Sequence, residues 1–435
     1  MNADIFEVVK TKREQLINCR RDLHKHAETA WTEFRTASVV AETLTRLGYQ
    51  VSVGEEVIDA AVMMGVPAPQ ELISHQERAI AQGADPNWVG KMQGGKTGVM
   101  GVMHFTQPGP VVAFRFDMDA NDVMEAILEE HRPWREGFAS VNPGAMHACG
   151  HDGHTSIGLT LAEVLVEVKD RLAGTVKLIF QPAEEGVRGA KAMVSRGIVD
   201  DVNFFVGLHL GIGLKKAGTI TCNTGGFLAT TKLDAVYTGI PAHAGAAPET
   251  GHNALLAAAT AALNLHAISR HSQGASRINV GVLQAGTGRN VIPDKAVLKL
   301  ETRGTTSEIN EYVYKRAITI LEAAAAMYDV KLILSPMGSA ANCTNTPELV
   351  GRLEQIAAKS NLFKSILPEG NIGGSEDCTY FMERVQQKGG QAAYLMIGTG
   401  LAAGHHDSRF DFDEESLVTA TALLGKAAVE LLSKN

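Results

Sequence analysis

The chain has 435 residues, 45% of them hydrophobic and 20% charged, which is enough length and apolar content for two buried cores. Forty basic against forty-eight acidic side chains give a net charge of −8, which argues against nucleic acid as partner and leaves room for a local basic pocket. The five scattered cysteines (Cys19, Cys149, Cys222, Cys343, Cys378) argue against a disulfide framework, no apolar run can span a bilayer, and the N-terminal stretch lacks a signal-peptide core. The expectation is a cytoplasmic protein that does not bind membranes.

Leu16, Leu23, Val39, Val40, Leu44 and Leu47 recur at helical spacing, and Gly48 is a stop. Residues 55–95 read as polar and irregular, with helical character around 71–81. The apolar runs 99–105 and 111–116 are bounded by Gly or Pro, as buried strands are. A helix is predicted over 155–168 and a strand over 175–180 that ends at QPAEEG. This alternation predicts an open α/β sheet that takes its ligand beyond the carboxyl ends of the strands.

The texture changes after Asn223. Strand 233–237, an Ala-rich helix, strands 278–283 and 296–302, helix 308–327 and strand 331–334 follow in turn. That βαββαβ order is a ferredoxin-like unit, complete in itself and therefore readable as an insertion. The expected division is a discontinuous catalytic domain, 1–225 and 337–435, around an inserted domain, 226–336.

Residues 146–154, MHACGHDGH, pack three histidines, one cysteine and one aspartate into nine positions. Imidazole and thiolate are donors that first-row metals bind well. No further Cys or His follows at finger-like spacing, so the other ligands must come from distant loops. Candidates stand after other strand-like runs: Asp117 in RFDMD, Glu184 and Glu185 in QPAEEG, His209 in GLH, and the His405-His406 pair. Each alone is weak, since a single His is more often a core or surface residue and a Glu pair is usually solvated. Together, Cys149, His151, Glu185, His209 and His406 are too many for one tetrahedral ion and suit two ions sharing a bridge.

With these motifs the chain resembles, over essentially its whole length, the dinuclear metallopeptidase family of aminoacylases, carboxypeptidase G and auxin-conjugate amidohydrolases. The marks are RRDLHKHAE from Arg20, RFDMDA, MHACGHDGH, FQPAEEG, HAGAAP from His243, GRNVIPDKAVLKLETRG and HHDSRFDFDE. The resemblance implies a zinc-peptidase-like α/β catalytic domain with an inserted ferredoxin-like α+β lid and dimerisation domain. It implies two divalent ions in each protomer, Zn or Mn, held by Cys149 as bridge, His151, Glu185, His209 and His406. His406 rather than His405 is implied because it stands four residues before Phe410. Glu184 would be the general base, Asp117 would hold a ligand in place, and His243 would stabilise the oxyanion in a partner's site. Asn290 would contact substrate, and Arg303 and Arg289 are candidates for its carboxylate. The implied substrate is a small acidic N-acyl amino acid, p-aminobenzoyl-glutamate first, in a homodimer or a heterodimer with a related chain. Deacetylase, dipeptidase and indole-3-acetyl-amino acid hydrolase activities are alternatives, and a non-catalytic regulatory or partner chain is an alternative of another class. The chain departs from the family pattern at Ala27, where Pro is usual, and at Asn121-Asp122, where Leu-Pro is usual. Neither departure touches an implied ligand.

Overall fold

A computed structural model describes residues 4–433, so the outermost ends of the expected catalytic domain, 1–3 and 434–435, lie outside the described residues. The chain divides into two compact units, the second made of Phe227–Asn342 and Gly374–Glu376 and the first of the remainder. The strands that matter below are, in chain order, β1 (Gln50–Val53), β2 (Val99–His104), β3 (Val111–Asp117), β4 (Thr175–Gln181), β5 (Phe204–Leu210) and β6 (Thr219–Thr221). They continue with β7 (Ala229–Thr238), β8 (Ser276–Ala285), β9 (Lys295–Gly304), β10 (Lys331–Ala340), β11 (Ser365–Leu367) and β12 (Gln391–Ile397).

The first unit holds an eight-stranded sheet in the order β1-β2-β4-β3-β5-β12-β6-β11. Its centre is parallel: β3 runs alongside β4 and β5, and β12 alongside β5. These four strands are buried along nearly their whole length, which is why they read as continuous apolar runs rather than alternating ones. Their carboxyl ends come level, with Asp117 opposite Gln181 and Ile397 opposite Leu210. Chemistry-bearing residues therefore leave the sheet at one edge, as expected for an open α/β sheet.

Helix His151–Glu167 packs on β3 and on the terminal helix Glu415–Leu431. It approaches the sheet so closely that a Cβ on Gly158 would stand 2.6 Å from the Phe116 ring and 2.7 Å from the Phe180 ring. The helix starts four residues earlier than predicted, because Gly150 caps it in a left-handed conformation (φ +89°). Asp152 in its first turn complements the helix dipole. The segment 55–95 contains two helices, Pro69–Ala81 and Pro86–Lys91, which bury Leu72, Ala79 and Val89. Arg78 ties this segment to the N-terminal region by donating to Glu28 Oε1 at 3.0 Å.

The second unit has the βαββαβ order, with helices Ala254–His266 and Ser307–Met327 and an antiparallel sheet ordered β10-β7-β9-β8. Leu233, Leu298 and Leu300 from the sheet pack against Ala257, Ala261, Val313 and Leu321 from the helices. The expected domain end at 336 falls inside β10. The strand expected over 331–334 runs on through Pro336 because β10 is an edge strand and a bulge between Pro336 and Gly338 absorbs the missing donor.

Candidate metal centre

Cys149 sits immediately before the left-handed Gly150, and His151 opens the helix beyond it. His209 comes from the end of β5, so its ring faces the same edge. Its Nε2 lies 3.4 Å from Cys149 Sγ. Donor atoms of Cys149, His151 and His209 lie within 4.8 Å of one another, all three residues buried. A second group, Cys149, Glu185 and His406, meets the same limit, so the thiol belongs to both. His406 Nε2 is 3.3 Å from Glu185 Oε1. Glu184 joins His151 and Glu185 in a third such group.

The hydrogen bonds separate candidate ligands from residues already committed. His151 Nδ1 donates to the Asp119 carbonyl at 2.9 Å, which leaves Nε2 as the nitrogen that could bind a metal. That Nε2 is buried with no hydrogen-bond partner, and so is Glu185 Oε1. His154 also lies near Asp117 and His151, but both its nitrogens are committed: Nδ1 to Asp117 Oδ1 at 2.5 Å, Nε2 to the Leu210 N–H at 3.0 Å. His405 donates through Nε2 to the Leu210 carbonyl at 3.1 Å and packs on Phe410, a structural role, while His406 reaches Glu185.

Charge around the thiol is one-sided. Burial, then Glu185, Glu184 and Asp117, push the Cys149 thiol well above its ordinary value. Burial disfavours charge on His151, but Asp117, Asp119 and Glu185 outweigh it and hold the ring up at about 10. Burial likewise pushes Glu185 up, and His406 and His151 outweigh it, bringing it to about 2. Orphaned donor atoms amid carboxylates, thiol and imidazole fit divalent cations by geometry and by charge.

Backbone fastening explains the precision of the QPAEEG loop. Asp119 accepts from the Glu184 N–H at 3.0 Å with one oxygen and from the Glu185 N–H at 2.8 Å with the other. Glu33 accepts from the Ala183 N–H, and Asp377 from the N–H groups of Gly189 and Ala190. Asp117 receives Arg115 at 2.7 Å on its Oδ2 and His154 on its Oδ1, so it holds His154 directly and stands 3.7 Å from His151 Nε2. Sequence reading missed Asp119, whose ties to residues 65 and 66 positions away have no local signal. It also missed His147, both ring nitrogens of which are buried without a partner.

The second unit carries the other expected residues. His243 is exposed, and its Nδ1 accepts from the Gly245 and Ala246 N–H groups, both at 3.1 Å. The exposed Asn290 lies beside it, with the Asn290 carbonyl accepting from the Ala244 N–H at 3.1 Å. Arg289 is exposed next to Asn290. Arg303 is already engaged, through Nε to Glu301 at 2.9 Å along its own strand.

Residues 113–430 match peptidase family M20/M25/M40. The chain is 51% identical over 424 residues to the indole-3-acetyl-aspartic acid hydrolase of Enterobacter agglomerans, a match that covers 97% of both chains. It has the same identity and coverage with one of the named subunits of the p-aminobenzoyl-glutamate hydrolase of Escherichia coli (strain K12). Among solved structures, it is similar to an aminobenzoyl-glutamate utilization protein from Klebsiella pneumoniae, with a TM-score of 0.84 and 43% identity over 98% of each chain. A dinuclear metal-binding peptidase of family M20 from Bacillus subtilis matches with a TM-score of 0.66 and 25% identity, covering 97% of this chain and 99% of that one. With residues 113–430 matched and relatives at 51% identity spanning nearly the whole length, the chain belongs to peptidase family M20/M25/M40 and is a hydrolase acting on amide bonds.

Proposed function

We propose that the chain cleaves the amide between an aromatic acyl group and an acidic amino acid, with p-aminobenzoyl-glutamate, split into p-aminobenzoate and glutamate, as first substrate. The observation that carries this reading is the shared thiol: two ligand groups meet at Cys149, with Glu184 beside them. Bound there, two divalent ions would polarise the amide carbonyl and acidify the attacking water. Thiolate and imidazole donors favour zinc, and the carboxylates admit manganese. Glu184 removes the proton of the attacking water and returns it to the leaving nitrogen, general acid–base work for one carboxylate held in place by Asp119. Asp117 is a positioning residue, acting through His154.

His243 donates to the oxyanion. Its Nδ1 accepts two N–H groups, so the neutral ring carries its proton on Nε2, the donor form. We assign it to a site in a second protomer, either a copy of this chain or a related one. Leu256 (44% exposed) and Leu263 (77% exposed), two turns apart on one helix, and Val282 and Leu283 on the edge strand β8 support pairing through this unit. For the substrate, Asn290 supplies an amide contact, and the exposed Arg289 suits the carboxylate better than Arg303, which Glu301 already holds. A reducing compartment such as the cytoplasm accords with five free cysteines, and no helix among the described residues is long and apolar enough to cross a membrane.

A hydrolysis panel tests the reading. We expect p-aminobenzoyl-glutamate to be cleaved with kcat/KM about tenfold above N-acetyl amino acids and dipeptides, a ~1.4 kcal/mol preference. The equal identity to the indole-3-acetyl-aspartic acid hydrolase favours a second reading, in which indole-3-acetyl-aspartate leads the panel. Cleavage of N-acetyl amino acids or dipeptides alone would overturn the aromatic–acidic class.

A further inference from the structure

Arg20, on helix Arg13–Lys25, has no exposed side-chain surface. Its guanidinium reaches three carboxylates: Asp152 at 2.7 Å, Asp411 at 3.1 Å and Glu414 at 3.3 Å. It lies over two rings, 4.5 Å from the Phe412 centroid and 5.2 Å from that of Phe138. The three acids belong to two different segments. Asp152 follows His151 directly, whereas Asp411 and Glu414 belong to the segment that follows His406. Arg20 therefore spans two of the stretches of chain that bring candidate ligands to Cys149. Its neighbours each hold one side. His24 reaches Asp152 at 2.8 Å and Glu125 at 3.0 Å. Arg132 reaches Asp411 at 2.6 Å and Glu414 at 3.1 Å.

The two ligand groups differ in how firmly the fold holds them. His151 stands on a buried helix and His209 on a central strand, close to Cys149. His406 stands on an exposed loop in the left-handed region (φ +66°), and its backbone N–H donates to the Ala148 carbonyl at 2.8 Å. No regular element fixes where its ring lies relative to Cys149 and Glu185. The fork of Arg20 fastens the segment after His406 to the start of the helix that carries His151.

We propose that Arg20 is a positioning residue for the Cys149/Glu185/His406 position, and that its loss weakens the ion there while the Cys149/His151/His209 position stays filled. The inference rests on the two-ion reading above. The test uses the full chain stripped of metal and titrated with Zn(II) against a chelating indicator, and in parallel with Co(II), whose thiolate absorption band reports Cys149 as a ligand. Arg20→Lys keeps the charge but cannot fork to three carboxylates. We expect it to bind the weaker ion about 10–100-fold less tightly, the range for losing a partner that orients a ligand. The tighter ion, the cobalt–thiolate band and the melting temperature should stay near wild type. Arg132→Lys, whose parent side chain holds one segment alone, should bind both ions like wild type. A purely structural role for Arg20 would weaken both ions together, and that result, or two unchanged affinities, overturns the proposal. If Arg20→Lys does not fold, Asp411→Asn combined with Glu414→Gln takes the charge from both His406-side partners of the fork at nearly constant volume. The same split must then appear, and its absence overturns the proposal. A wild-type chain that takes up a single ion sinks the two-ion reading itself, and the proposal with it.

Discussion

In the first unit the proposed chemistry rests mostly on buried side chains, Cys149, His151, Glu184 and His209, with the exposed His406 as the exception, and two of its donor atoms, His151 Nε2 and Glu185 Oε1, are buried without a hydrogen bond. In the second unit His243, Asn290 and Arg289 stand exposed on loops, steadied by backbone contacts and costing the fold little. A buried polar atom without a partner costs on the order of 1–3 kcal/mol, so the first unit folds against a penalty that a cation would lift. The difference teaches that orphaned burial marks the residues that hold something permanently. Exposed residues with a fixed tautomer mark those that wait for a substrate or a second protomer.

Substitutions can break that contrast, and the largest effect is expected at the shared thiol. Cys149→Ala should take metal content from about two ions per chain to about one or fewer, because both positions use the sulfur. Full metal content by elemental analysis would remove the thiol from the centre. Next come the adjacent carboxylates. Glu184→Gln should keep its metal and lose about 10²–10⁴-fold in turnover, the usual range for a lost acid–base group. Glu185→Gln should instead weaken metal binding about 10–100-fold. Kinetics paired with metal analysis separates the two, and the opposite pattern would mean their roles are exchanged.

His243→Ala should lower kcat about 10²–10³-fold, as loss of an oxyanion donor does, without changing metal content. Mixed with the Glu184→Gln chain, it should regain up to about one working site in four after random exchange of protomers. Confirmed mixed oligomers without that recovery would place His243 in its own chain's site or outside the chemistry. The smallest effect belongs to Arg303. Its guanidinium is held by Glu301 and partly exposed, so Arg303→Gln should change KM by less than about fivefold, the ~1 kcal/mol of a surface ion pair. A tenfold rise in KM would make it the carboxylate partner in place of Arg289.

The fold is legible where periodicity is strong. The apolar runs of β3 and β4 and the βαββαβ order of the second unit stand in the sequence much as they stand in the structure. The ligand candidates are legible because thiol and imidazole are rare enough to stand out when they fall at strand ends. Supports are not. Asp119 and Arg20 look like ordinary charged residues, and their meaning depends on partners far away in the chain, Glu184 and Glu185 for one, Asp152 and Asp411 for the other. The helix that begins at His151 reads in the sequence as starting at 155 because two glycines near its start mask it, although Gly150 is what lets it begin. The strand read over 331–334 continues through Pro336 to Ala340, since an edge strand tolerates what a central one does not.

His406 occupies backbone space that suits glycine and asparagine, at a strain of roughly 1–2 kcal/mol for other residues. Resistance to heat and catalytic competence therefore pull this position in opposite directions. Without metal, His406→Asn should melt above the parent chain, whereas with metal the order should reverse. A laboratory screen for heat resistance alone would drift toward asparagine or glycine here and collect hardier proteins that have lost their activity.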